Sequence, residues 1–134
     1  MTRVLIVDDN KDSADALATV LRLMWHHSEV AYSGGEALEK MNRFSPELFL
    51  LDLALPDMDG YELVRRLRPL SGKDARFVAV TGYGPGIGGN MAGNLFDEHV
   101  VKPMSPEILL KVLGLVPGPS AAVIHNLEAP DQML

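Results

Sequence analysis

Three short runs of this chain contain no polar residue: Val4-Leu5-Ile6-Val7, Leu48-Phe49-Leu50-Leu51 and Phe77-Val78-Ala79-Val80. A strand with one wet face alternates apolar and polar side chains. A continuous apolar run therefore describes a strand covered on both faces. Such strands need helices above and below them, and the intervening segments carry helical patterns. Ala14, Leu17, Ala18, Leu21, Met24 and Trp25 recur near the 3.6-residue period. Ser33-Gly34-Gly35-Glu36 reads as a capping box ahead of Ala37, Leu38 and Met41. Asp59 and Glu62 open a third stripe of Leu63, Val64 and Leu67, which Arg68-Pro69 stops. Ser105-Pro106 sets an N-cap and an N1 proline before Ile108, Leu109, Val112 and Leu113. Glu29-Val30-Ala31-Tyr32 and His99-Val100-Val101 add two weaker strands. The alternation of strand and helix predicts an α/β fold, a parallel five-stranded sheet with helices on both faces.

Two segments depart from this rhythm. Residues 82–93, between the fourth and fifth strands, hold six of the chain's 12 glycines. Each interior glycine costs a helix about 1 kcal/mol relative to alanine. A weakened or irregular fourth helix is expected there. Residues 117–134 have no Lys or Arg and include Pro117, Gly118, Pro119 and Pro130. We expect a domain over residues 1–116 and a flexible C-terminal tail over 117–134.

Composition removes several function classes. With 134 residues there is room for one domain. There is no cysteine, which excludes disulfides, thiolate nucleophiles and Cys-ligated metal. The 18 acidic and 12 basic side chains give a net charge of -6. That balance argues against nucleic acid as a direct partner, because phosphate backbones reward Lys and Arg. No apolar run approaches the roughly 18 residues of a membrane span. The run after Met1 is too short for a signal peptide, so a cytoplasmic protein is expected.

Strand ends carry the chemistry of an open parallel sheet. The first strand ends in Asp8-Asp9, the third in Asp52, the fourth in Thr81 and the fifth in Lys102. Parallel neighbours would bring three carboxylates, a hydroxyl and an ammonium to one edge. Crowded carboxylates repel, and some would take up protons unless a cation intervened. A hard divalent ion such as Mg²⁺ suits oxygen ligands of this kind. Lys102 and Thr81 beside it suggest a phosphoryl group, whose spread charge needs several donors. Asp52 can then act as a nucleophile and form an aspartyl phosphate. Asp57 and Asp59 read as turn and N-cap residues, and His26-His27 as a helix-end pair. A phosphatase of the haloacid dehalogenase type would place Asp57-Met58-Asp59-Gly60 directly after a buried strand, but Leu55-Pro56 intervenes. A nucleotide- or flavin-binding module would need a phosphate-cradling motif that the glycines of 82–89 do not form.

Four segments in order resemble the receiver domain of two-component response regulators. They are Val4-Leu5-Ile6-Val7-Asp8-Asp9-Asn10, Leu51-Asp52-Leu53-Ala54-Leu55-Pro56-Asp57-Met58-Asp59-Gly60, Val80-Thr81-Gly82-Tyr83-Gly84 and Val101-Lys102-Pro103. The resemblance covers roughly residues 3–115 and implies a flavodoxin-like doubly wound sheet of order 2-1-3-4-5. It implies that Asp52 accepts a phosphoryl group from a histidine kinase or histidine phosphotransfer protein. Asp9 and Asp52 would bind Mg²⁺ directly, Asp8 through water, and the carbonyl of Ala54 would be a further ligand. Lys102 would pair with Asp52 and then with the phosphoryl oxygen, and Thr81 would donate to it. The Lys102-Pro103 bond would be cis, and His99 would stand where the family has a switching aromatic. Tyr83-Gly84 looks most like receivers of hybrid kinases and their stand-alone relatives. Such a protein is not an enzyme on a separate substrate; it catalyses only its own phosphorylation and dephosphorylation. The alternative is a phosphate-independent receiver-like interaction module. Either way the output would lie in another molecule or in a missing part of this one.

Overall fold

Successive side chains of a strand point to opposite faces, so each apolar run feeds two cores. The computed structural model describes residues 1–82 and 95–116. Its strands are β1 (Arg3–Val7), β2 (His27–Ala31), β3 (Leu48–Asp52), β4 (Arg76–Thr81) and β5 (Glu98–Val101). All neighbours are parallel, in the order β2-β1-β3-β4-β5. The helices are α1 (Lys11–Leu23), α2 (Gly34–Phe44), α3 (Gly60–Leu67) and α4 (Pro106–Leu113). Val4, Ile6, Leu48, Leu50, Val78 and Val80 pack with α1 and α4 through Ala14, Ala18, Leu21, Leu109, Val112 and Leu113. Leu5, Val7, Phe49, Leu51, Phe77 and Ala79 pack with α2 and α3 through Ala37, Met41, Leu63, Val64 and Leu67. Phe49 and Phe77 are register partners, and their rings stack at 4.3 Å. This is the doubly wound α/β sheet expected from the sequence.

Helix starts follow the capping residues. Ser33, Asp59 and Ser105 each accept a backbone N–H three residues on, and Pro106 occupies the first turn of α4. The capping box of α2 differs in one detail. The Glu36 carboxylate accepts from the N–H of Tyr32 rather than that of Ser33. This withdraws Tyr32 from the ladder, so β2 ends at Ala31 instead of including Tyr32. At its other end β2 begins earlier than expected, because His27 pairs with Arg3.

Trp25 corrects the first helical stripe. The N–H groups of Trp25 and His26 donate to the carbonyls of Arg22 and Leu21, each at 3.0 Å. That pair of bonds is a Schellman closure, and it demands a left-handed residue. Trp25 fills the position with φ 68° and lies 77 % exposed. His26 turns inward in its place, buried, with Nδ1 accepting the Thr2 N–H at 3.0 Å.

The segment expected to hold a weakened fourth helix, residues 82–93, lies outside the described residues apart from Gly82. The expected tail, 117–134, does so too. Among the described residues no helix is long and apolar enough to cross a membrane.

Candidate functional site

Sheet register decides which strand ends meet. Val7 pairs with Leu51, so the next residues, Asp8 just past β1 and Asp52 as the last residue of β3, emerge side by side at the carboxyl edge of the sheet. Asp52 itself pairs with Val80, which sets Thr81 one step further along β4. Thr81 pairs with Val101, so Lys102 follows directly, and its N–H donates to the Thr81 carbonyl at 2.7 Å. The adjacent strands β1 and β3 therefore deliver the acids, and the next two strands, β4 and β5, deliver the hydroxyl and the ammonium. The peptide bond after Lys102, to Pro103, is cis.

One cation bridges two of the acids. Lys102 Nζ donates to Asp8 Oδ2 at 2.9 Å and to Asp52 Oδ2 at 3.1 Å. Burial works to lower the Lys102 pKa. The hydrogen bonds and charges of Asp8 and Asp52 outweigh it, and the ammonium is held above its ordinary value. The second oxygens are tied locally. Asp8 Oδ1 accepts the Asn10 N–H at 2.9 Å, and Asp52 Oδ1 accepts the Ala54 N–H at 3.0 Å. Asp8 and Thr81 are buried, Asp52 is half-buried and Asp9 is exposed.

Asp8, Asp9 and Asp52 each offer an oxygen, and these oxygens lie within 4.8 Å of one another. Three carboxylates against one ammonium leave the pocket with a net charge of -2. A hard divalent cation matches both that charge and the all-oxygen donor set. Asp9 is the solvent-exposed member of the cluster. A groove of about 620 Å³ lies at the opposite edge of the sheet among Arg3, Ser45, Glu47, Lys73 and Asp74. It contains none of the strand-end acids, and its size says nothing about the chemistry.

The loop after β3 shapes the pocket floor. Gly60 N–H donates to the Leu53 carbonyl at 2.9 Å, and Ala54 and Asp59 form an isolated bridge. A Cβ on Gly60 would stand 2.8 Å from Leu53 Cα and 3.0 Å from the Asp52 carbonyl oxygen. Only glycine fits this close approach of backbone to backbone.

Sequence reading brought the five strand-end side chains to one edge. By sequence Asp57 reads as a turn residue only. In the fold, both Asp57 oxygens reach across to α2, accepting the N–H groups of Gly34 and Gly35 at 2.9 Å each. The signal was available in the Gly34-Gly35 pair, but nothing in the sequence joins it to a residue 22 positions away. His99 is half-buried, its ring 5.5 Å from Phe96, which in turn meets Tyr61 at 5.9 Å.

Comparison with known proteins gives a consistent result. The family model described as response regulator receiver domain matches residues 4–114. The DNA-binding response regulator MtrA of Mycolicibacterium smegmatis is 34% identical over 133 residues, covering 98% of this chain and 55% of that protein. The transcriptional regulatory protein TrcR of Mycobacterium tuberculosis is 32% identical over 128 residues, covering 85% of this chain and 45% of that protein. This chain thus spans about half the length of these relatives. Among solved structures, a CheY-like receiver domain from Methylobacillus flagellatus superposes with a TM-score of 0.80 at 31% identity, covering 87% of this chain and 99% of that one. The response regulator TrrA of Thermotoga maritima, solved in complex with Mg(2+)-BeF, gives 0.75 at 30% identity over 86% of this chain and 99% of that one. With acids, lysine and threonine at the strand ends and a family match across nearly the whole described sheet, the chain belongs to the response regulator receiver domains of two-component signalling.

Proposed function

We propose that Asp52 is the phosphoacceptor of a Mg²⁺-dependent phosphorelay, and that its phosphorylation switches contacts with a downstream protein. The observation that carries this reading is Lys102 Nζ bridging Asp8 and Asp52 beside the exposed Asp9. The phosphoryl donor is a phosphohistidine on a histidine kinase or a histidine phosphotransfer protein. An Asp52 carboxylate oxygen attacks phosphorus as the P–N bond breaks. The imidazole nitrogen leaves with the electron pair and takes up a proton. Asp9 and Asp52 would hold Mg²⁺ directly, Asp8 through water, with the Ala54 carbonyl as a further ligand. When bound, Mg²⁺ supplies positive charge against the phosphoryl oxygens.

The remaining roles belong to the chain's own groups. Lys102 already holds an Asp52 oxygen, and it follows the developing negative charge onto the phosphoryl group. The Thr81 hydroxyl donates to that group. Hydrolysis of the acyl phosphate by water returns the carboxylate and ends the signal. Residues 1–116 form the receiver in this reading and 117–134 a tail. A cytoplasmic location goes with it, and no direct contact with nucleic acid or membrane is proposed.

Incubation with Mg²⁺ and acetyl phosphate tests the reading. One phosphoryl group adds about 80 Da by mass spectrometry. Wild type gains that mass and Asp52→Asn does not. Equal labelling of the two proteins overturns the assignment. Absence of labelling by a verified partner kinase would favour the phosphate-independent module instead.

A further inference from the structure

The loop that follows the phosphoacceptor is closed at its base and tied at its tip. At the base, the Ala54–Asp59 bridge and the Gly60-to-Leu53 bond shut the ring. The Ala54 peptide belongs to this base. Its N–H holds Asp52 Oδ1, and its carbonyl is a proposed cation ligand. At the tip, Asp57 Oδ1 accepts the Gly34 N–H and Oδ2 accepts the Gly35 N–H, both at 2.9 Å. These are the first two N–H groups of α2, which have no partner inside the helix. Met58 lies over the same turn, and a Cβ on Gly34 would come within 2.7 Å of its side chain. The tip thus rests on α2 through two consecutive residues, one polar and one apolar.

We propose that Asp57 is a positioning residue for the cation and phosphoacceptor pocket, latching the β3–α3 loop to the N-terminus of α2 and so fixing the Ala54 peptide against Asp52. Two parallel bonds to one carboxylate define an orientation as well as a distance, which a single bond would not. The Gly34 and Gly35 N–H groups hold the Asp57 pKa below the ordinary carboxylate value, so the latch stays ionised at neutral pH. Groups that orient a ligating atom from behind change metal affinity on the order of tenfold or more when removed. Asp57 touches neither the cation nor the phosphoryl group; it acts through the loop.

The inference rests on the Mg²⁺-dependent reading above, and the test separates the two. Mg²⁺ alone is titrated into wild type, Asp57→Ala, Asp57→Asn and Ser33→Ala by calorimetry, with folding checked by circular dichroism. Ser33→Ala removes the N-cap of the same helix without touching the loop, so it controls for a purely structural effect. Asp57→Ala is expected to raise the Mg²⁺ Kd about tenfold and to slow acetyl phosphate labelling of Asp52. Asp57→Asn, which keeps one acceptor oxygen, falls between it and wild type. Ser33→Ala loses stability and keeps the wild-type Kd. A wild-type Kd in Asp57→Ala, or an equal rise in Ser33→Ala, overturns the latch. Absence of Mg²⁺ binding by wild type overturns the phosphorelay reading itself, and the latch with it.

Discussion

At the scale of single residues, the end of α1 reverses what polarity alone suggests. An indole belongs in a core and an imidazole belongs in water, yet Trp25 is exposed and His26 is buried. The cause is backbone geometry: the Schellman bonds rotate the chain by one residue, and the apolar stripe stops at Met24. No side-chain periodicity reports a left-handed φ, so this inversion was not legible in the sequence. Its consequence is a pH dependence. Burial, and then the nearby N-terminal charge, lower the His26 pKa below its ordinary value. Protonation would also put a hydrogen on Nδ1, the atom that accepts the Thr2 N–H. A base with a depressed folded pKa binds more protons when unfolded. Its neutral form therefore costs nothing above the unfolded value of about 6.5, and stability falls as pH drops from there toward the folded value. We expect His26→Asn, which keeps an acceptor, to lose less stability than wild type between pH 8 and pH 5 in urea unfolding. Parallel losses in the two proteins would assign the acid sensitivity to other groups.

At the scale of elements, caps and apolar runs were readable because their cause is local. Ser33, Asp59 and Ser105 cap their helices through atoms three residues away, a distance the sequence displays directly. The pocket side chains were readable for a related reason: parallel strands align their ends, and residue order then names what lies there. Contacts between loops and helix ends are different, because their partners are set by packing. Asp57 with Gly34 and Gly35 is one case. Arg68 is another, with its guanidinium stacked 4.6 Å from the Phe77 ring and donating to the Leu95 carbonyl at 2.9 and 2.6 Å. Gly60 joins both classes. The sequence marks it as the first residue after a cap, while its close approach to Leu53 and Asp52 appears only in the fold. Gly60→Ala therefore cannot be relieved by rotating a side chain. We expect a loss of about 2 kcal/mol or more, from displaced backbone at the start of α3. An alanine at Gly72, where a Cβ meets nothing within 4 Å, should change stability by about 0.5 kcal/mol at most. Chemical denaturation of both variants compares the two sites, and equal midpoints would contradict the close-approach argument.

At the scale of the whole molecule, the fold concentrates part of its charge at one point. Two of the pocket's three negative charges are balanced by no bonded basic group among the described residues: Lys102 alone bridges Asp8 and Asp52, and Asp9 adds a third carboxylate within 4.8 Å. Repulsion at such a distance is worth roughly 1–3 kcal/mol at the effective dielectric of a protein surface, and the exposure of Asp9 favours the lower end. The folded chain bears this cost without a cation, so in the proposed Mg²⁺-dependent reading an ion would relieve it and link stability to Mg²⁺ binding. Mg²⁺ at a hundred times its Kd adds about 2.7 kcal/mol to a protein that binds it only when folded. Asp9→Asn removes both the repulsion and a proposed direct ligand. In EDTA the variant should therefore melt about 4 °C above wild type. In saturating Mg²⁺ the order should invert, because only wild type gains the binding energy. The crossing of the two melting temperatures is the decisive feature. A variant that is more stable under both conditions would mean the acids repel but hold no ion. A variant that is less stable under both would mean Asp9 contributes a structural contact in place of a ligand oxygen.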